Sequence, residues 1–169
     1  MATTVRPTPA QTTRYDIDVH ASRITFRARH LFGLATVHGT LAVRNGTINL
    51  AEPTAGSTVW AEIDVSSLQT DDSRRDKSLR SPRFLDADRY PVMTFSADSF
   101  DDPMMTGTLT VCDVTCPVTV TIDRRDLADD VITVSATARI DRTVYGVTAL
   151  RALVGRYLTV GLEVRCVRR

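Results

Sequence analysis

Apolar and polar residues alternate along most of this chain. Ile24, Phe26 and Ala28 fall on one side of their segment, and Arg23, Thr25, Arg27 and Arg29 on the other. This is the two-residue period of a half-buried strand. The same period runs through Val37, Gly39, Leu41 and Val43, and through Val59, Ala61, Ile63 and Val65. It returns at Ile132, Val134, Ala136, Ala138 and Ile140, and again at Leu158, Val160, Leu162 and Val164. Tyr15 to Val19 makes a short first strand. Residues 107–111 and 118–122 predict a hairpin around Cys112-Asp113, with Pro117 at an edge or bulge because it has no amide to donate. Asn45-Gly46 predicts a type I′ hairpin turn, whose two central positions both need positive φ. Loops are expected at residues 52–57, at residues 123–130 and from Gly146 to Arg156. Trp60 shares a polar side with Glu62 and Asp64 and is expected as a partly exposed ring.

Two stretches escape the alternation. The longer runs from Thr70 to Phe95. Thr70, Asp71 and Asp72 supply capping side chains for a short helix, and their acidity suits the positive end of its dipole. Ser81-Pro82 stops that helix, since the proline ring pushes the preceding residue out of the α region. Phe84 and Leu85 follow as an apolar hook in charged surroundings. Tyr90-Pro91 then opens a strand with Met93, Phe95 and Ala97 on one face. The shorter exception, His30-Leu31-Phe32-Gly33-Leu34, predicts a turn at a rim.

About eight strands with short loops and one helical connector point to an all-β fold, an antiparallel barrel or sandwich. A closed barrel of that size can enclose one small ligand. Several inward residues are small, among them Ala28, Gly39, Ala61, Ala136 and Ala138. They leave room for a guest, or they fit tapering sheets around a filled core; the pattern supports both.

Composition narrows the function classes. The 169 residues suit one domain, taken as residues 14–169 behind a Thr- and Pro-rich tail, residues 1–13, expected to be disordered. Twenty-one basic and 20 acidic residues leave a net charge of +1, which gives no general attraction to nucleic acid or to an anionic membrane. Arg74, Arg75, Lys77, Arg80 and Arg83 cluster, but Asp71, Asp72, Asp76, Asp86 and Asp88 are interleaved with them, as on a solvated, ion-paired helix face. The three cysteines make no disulfide framework, and the spacing of Cys112 and Cys116 lacks the further ligands of a zinc site. They are read as reduced strand residues. No apolar leader or membrane-length run is present, so the expectation is a cytoplasmic protein without stable membrane insertion.

No phosphate-binding glycine loop, nucleophile elbow or HExxH pattern occurs. His20 and His38 fall on or near outward faces. His30 stands beside the Leu31-Phe32 cluster and is the one histidine placed to serve a site. No carboxylate is matched to a base and nucleophile, so the residues argue for no catalytic group, no metal and no cofactor.

Several segments together resemble the YceI-like family of lipocalin-like barrels. They are YDIDVHASRITF from Tyr15, HLFG from His30, AEIDVSSLQT from Ala61 and RRDKSLRSPRFLDADRYPVMTF from Arg74. GTLTVCDVTCPVTV from Gly107 and RTVYGV from Arg142 complete them. The resemblance runs from about Tyr15 to Val164. It implies an antiparallel eight-stranded barrel with a short helical connector, and non-enzymatic binding, transport or sequestration of a long-chain isoprenoid or fatty-acyl amphiphile. It also implies a tunnel lined by Ile24, Phe26, Leu41, Ile63, Val65, Phe95 and Leu109, each of which is equally a plain core position. Leu31, Phe32, Phe84 and Leu85 would form the mouth, with His30, Arg75 or Tyr145 orienting a head group. Two positions depart from the family, which has histidine where this chain has Ala21 and Ser78. The competing readings are an enzyme or accessory factor in isoprenoid or quinone metabolism, and a filled barrel that binds a protein through its surface, with Trp60 as a contact. Homodimerisation through a strand face or edge is a further expectation.

Overall fold

The computed structural model describes residues 11–150 and 154–169. Among the described residues nine strands follow in order: β1 (Gln11–Ile17), β2 (Arg23–His30), β3 (Ala35–Glu52), β4 (Thr58–Thr70) and β5 (Val92–Asp101), then β6 (Met104–Val111), β7 (Val114–Ala128), β8 (Val131–Asp141) and β9 (Val154–Arg168). One helix, α1 (Ser73–Arg80), joins β4 to β5. All pairings are antiparallel, and the order β3-β2-β9-β8-β7-β6-β5-β4 closes through β4 back onto β3. The result is a closed eight-position barrel. β1 adds no ninth position. It pairs with the far half of β3 and the end of β9, while β2 pairs with the near half of β3 and the start of β9. The two strands therefore share one stave, interrupted by the turn at residues 18–22. There the Asp18 carboxylate accepts from the amides of His20 and Ala21 and pairs with Arg165.

β1 begins at Gln11, so three residues assigned to the tail lie in the wall; residues 1–10 of that tail are outside the described residues. The loop expected at residues 123–130 is mostly strand, because β7 runs on to Ala128 and turns only at Asp129-Asp130. Its pairing with β6 ends near Thr121, and Arg124, Arg125 and Asp126 charge the edge left open beyond it. β9 likewise starts at Val154, inside a stretch read as irregular, while residues 151–153 of that stretch lie outside the described residues. Pro117 sits where β7 has β6 as a neighbour but has not yet reached β8.

The strongest turn signal is not a turn. β3 passes straight through Asn45-Gly46, neither of which has positive φ. The type I′ geometry occurs instead at Cys112-Asp113, φ 49 and 65, between paired Val111 and Val114. At Gly46 the glycine serves close packing: an added Cβ would lie 2.4 Å from Ile17 Cδ1 and 2.9 Å from the Trp60 carbonyl oxygen. Gly46→Val is therefore expected to cost about 1–3 kcal/mol and to lower the melting temperature, with partial recovery in Ile17→Ala/Gly46→Val. An unchanged melt would remove this account of the glycine.

Bulges explain how the inward face continues past each break in the alternation. β3 skips Arg44 between the pairs Val43–Ile63 and Asn45–Glu62. β5 skips Asp98, and β7 skips Asp123. Each skipped residue is charged and exposed, and each moves the inward face from odd to even positions or back. Val43 and Ile48 thus face inward together, as do Phe95 and Phe100.

α1 behaves as its sequence predicts. Asp72 caps it, accepting from the amides of Arg74 and Arg75, and the helix ends at extended Ser81. Its one buried residue, Asp76, accepts from the Thr70 amide at 2.8 Å and the Thr70 hydroxyl at 2.6 Å. Arg80 donates to the carbonyls of Ser66 and Leu68. The helix is thereby pinned to the end of β4, beside the barrel's opening.

Candidate functional site

The barrel is hollow. Its interior holds a cavity of about 710 Å³, within the range that encloses a drug-sized ligand. Phe26, Leu41, Phe95, Leu109, Leu158 and Leu162 all point into it and remain only partly buried, because they face empty space rather than one another. Ala28, Ala61, Ala136 and Ala138 hold back the walls between them. Gly39 does not line the hollow but makes room for a neighbour. Phe26 folds over it, with ring carbons where a Cβ would sit.

Among the described residues, the polar groups on the wall stand at its two ends. Arg29, His30, Arg75, Ser78, Arg142 and Tyr145 stand at the end that carries α1. Glu52, Thr54, Ser57 and Arg125 stand at the other. Across the α1 end lies the apolar hook. Phe84 is buried against Val111, Tyr145 and Val147, with Leu79 and Leu85 alongside. Burial pushes the Tyr145 phenol up to about 12, with Cys116 adding to the shift. It is thus a neutral hydrogen-bond donor throughout the physiological range.

Arg142 organises the other side of this opening. Buried in a 3-10 turn after β8, it donates from Nε to the Gly155 carbonyl at 2.9 Å and from Nη1 to those of Val147 at 2.8 Å and Ala149 at 3.0 Å. Nη2 reaches the Val154 carbonyl at 3.0 Å. Asp141 caps the same turn, accepting from the Thr143 hydroxyl and amide, and pairs with Arg156. Hydrogen bonding from the Thr143 hydroxyl leads the effects that hold the Asp141 carboxyl below the usual carboxylate range.

Of the residues expected at a site, Ile24, Phe26, His30, Leu41 and Ile63 lie on the cavity wall, as do Arg75, Phe84, Leu85, Phe95, Leu109 and Tyr145. Three do not. Val65 is buried, but its amide bonds to the Pro91 carbonyl within the wide bulge of β4, and Leu68 takes the inward place beyond that bulge. Leu31 and Phe32 do not line the mouth, because β2 and β3 stay paired as far as His30–Ala35. Only residues 31–34 remain to turn the chain, and they splay outward, with Phe32 81% and Leu34 88% exposed. Leu31 and Phe32 hold φ of 52° and 58° ahead of Gly33, at roughly 1–2 kcal/mol for each side chain that carries a Cβ.

Sequence reasoning does not single out Arg142. It only opens the RTVYGV segment, between Asp141 and Thr143, and its partners are main-chain carbonyls that no side-chain pattern encodes. Of the two departures from the family, Ser78 lies on the cavity wall, whereas Ala21 is an exposed residue of the turn between β1 and β2. His20 and His38 are exposed. The cysteines are structural: burial pushes the Cys166 thiol up to about 12, and burial with nearby Asp86 raises that of Cys112. Among the described residues no cluster of histidine, cysteine or carboxylate side chains is arranged to hold a metal, and no helix is long and apolar enough to cross a membrane.

A YceI-like domain model matches residues 15–166. Protein YceI of Escherichia coli O17:K52:H18 is 38% identical over 112 residues, 62% of this chain and 58% of that protein. Protein YceI of Salmonella arizonae is 35% identical over 124 residues, 69% of this chain and 64% of that protein. The match thus spans less than two thirds of the length of these relatives. Burkholderia cenocepacia BcnA superposes with a TM-score of 0.73 at 18% identity, covering 89% of this chain and 99% of that one. A polyisoprenoid binding domain from Saccharophagus degradans superposes with a TM-score of 0.70 at 17% identity, covering 92% and 98%. At such identities the likeness is one of fold.

Proposed function

The chain belongs to the YceI-like domain family, and from that premise we propose that its barrel binds a long-chain isoprenoid or comparable amphiphile and carries or sequesters it without transforming it. The observation that supports this most is the 710 Å³ apolar cavity with polar groups at its ends. A hydrocarbon tail gains about 0.8 kcal/mol for each methylene it buries, and such a wall rewards length rather than shape. Arg29, His30, Arg75 and Tyr145 stand where a polar or anionic head group would emerge. Ser78 at the same opening is where this chain's head-group preference would part from that of relatives with a histidine there. The solved Saccharophagus domain, a polyisoprenoid binder of the same fold, agrees with this reading.

Native mass spectrometry of the purified protein, followed by organic extraction, tests it. A stoichiometric prenyl or acyl species is the expected result. An empty protein that also refuses polyprenyl and fatty-acyl probes would sink the reading. The cavity counts against the rival filled-barrel reading. An enzymatic role would require His30 or Arg75 for turnover beyond binding; His30→Ala and Arg75→Ala are expected to weaken probe binding about three- to tenfold, the loss of one hydrogen bond to a head group, without altering any bound species chemically.

A further inference from the structure

We propose that the turn of residues 31–34 is a docking tip that seats the barrel's mouth on an anionic lipid bilayer. Its purpose rests on the amphiphile-binding reading, since a guest could then pass between bilayer and cavity without crossing water; its test does not.

The tip is unexplained by the fold. Phe32 and Leu34 are 81% and 88% exposed, and Leu31 is 44% exposed. Leu31, Phe32 and Gly33 all hold positive φ in the tight turn between β2 and β3. The tip stands at the α1 end of the barrel, between β2 and β3, directly beside His30 on the cavity wall.

Around the tip lies a basic collar. Arg27 and Arg29 are exposed on β2, and neither forms an ion pair among the described residues. Arg139 and Arg156 stand on the neighbouring ends of β8 and β9, where Asp141, paired to Arg156, is the one nearby carboxylate of those strands. Tyr157, 43% exposed, lies beneath Arg139 at 3.8 Å from guanidinium to ring centre. A ring with one apolar body and one wet edge suits a lipid–water boundary. The whole chain carries only +1, so the attraction is local to this collar. Three projecting side chains are far too few for a stable protein interface, which takes about 800 Å² from each partner. An apolar tip within a basic collar is instead the pattern of shallow insertion into an anionic interface.

Co-sedimentation with phosphatidylcholine vesicles, with and without phosphatidylglycerol, tests the proposal. The wild type is expected to prefer the anionic vesicles by about tenfold or more. Phe32→Asp/Leu34→Asp should lose about tenfold of that binding, and Arg27→Gln/Arg139→Gln, both off the cavity wall, should lose most of the anionic preference. Both variants change exposed residues, so melting temperature and uptake of a prenyl probe from solution should match the wild type. A wild type that ignores both vesicles would overturn the proposal, as would equal binding by Phe32→Asp/Leu34→Asp. Self-association abolished by that variant, without vesicle binding, would also overturn it and assign the tip to a second copy of the chain. Vesicle binding by a protein that takes up no prenyl probe would uphold the tip and count against the carrier reading.

Discussion

Replacing Ala61 and Ala138 together by phenylalanine should close the cavity to its guest and leave the barrel standing. Both alanines are buried, and both line the hollow from opposite parts of the wall, β4 and β8. Two added rings would displace the equivalent of about four methylenes of a bound chain, roughly 3 kcal/mol, or about a hundredfold in affinity. Elsewhere such an insertion overpacks a core at about 1–3 kcal/mol; here the rings enter space that is already empty, so the melting temperature should hold or rise. Titration with a fluorescent prenyl probe, alongside a thermal melt, reads both effects. A variant that stays folded and binds as the wild type does would show that the guest is not inside the barrel.

The second large effect is expected from Arg142→Ala. Four carbonyls, those of Val147, Ala149, Val154 and Gly155, accept from this one guanidinium. Hydrogen bonds from a charged donor contribute about 1.5–3 kcal/mol each, and they do not add fully. A net loss of about 4 kcal/mol is a reasonable sum, or roughly 8–16 °C in melting temperature for a chain of this size. Arg142→Lys keeps the charge but has no planar fork to span four acceptors, and should recover less than half of the loss. Faster hydrogen exchange should appear first at residues 143–149 and at the start of β9. If Arg142→Ala melts within a degree or two of the wild type, those carbonyls are satisfied some other way, and the arginine's role must be sought in the cavity it borders.

The walls of the barrel were legible in the sequence because alternation is a direct image of a two-faced strand. Ile24, Phe26 and Leu41 could be placed inward from their spacing alone. The connector was legible for a different reason: Asp72 and Ser81-Pro82 act locally, through capping and proline sterics, without help from the rest of the fold. Asn45-Gly46 misled because turn propensity is a local preference, and a long strand with Ile17 packed against Gly46 overrides it. Leu31 and Phe32 misled for the converse reason. Large apolar residues normally turn inward, and nothing in their order reveals that β2 and β3 stay paired until no length remains for them to fold back. The hollow itself was undecidable, since small inward residues fit an open lumen and a tapering core equally well.

The skipped residues Arg44, Asp98 and Asp123 bear on how this sequence can change over time. Each is exposed and charged and, where it stands, replaceable by almost any side chain. The peptide unit is dispensable in the same way, because it has no partner in the ladder. Deleting Arg44 would join Val43 directly to Asn45 and leave Ile48 inward opposite Val59, whereas deleting paired Thr47 would carry Ile48 and Leu50 to the water side and Asn49 to the lumen. These three surface positions are therefore where the strands can lose a residue without turning inside out, and length is constrained at the paired positions between them.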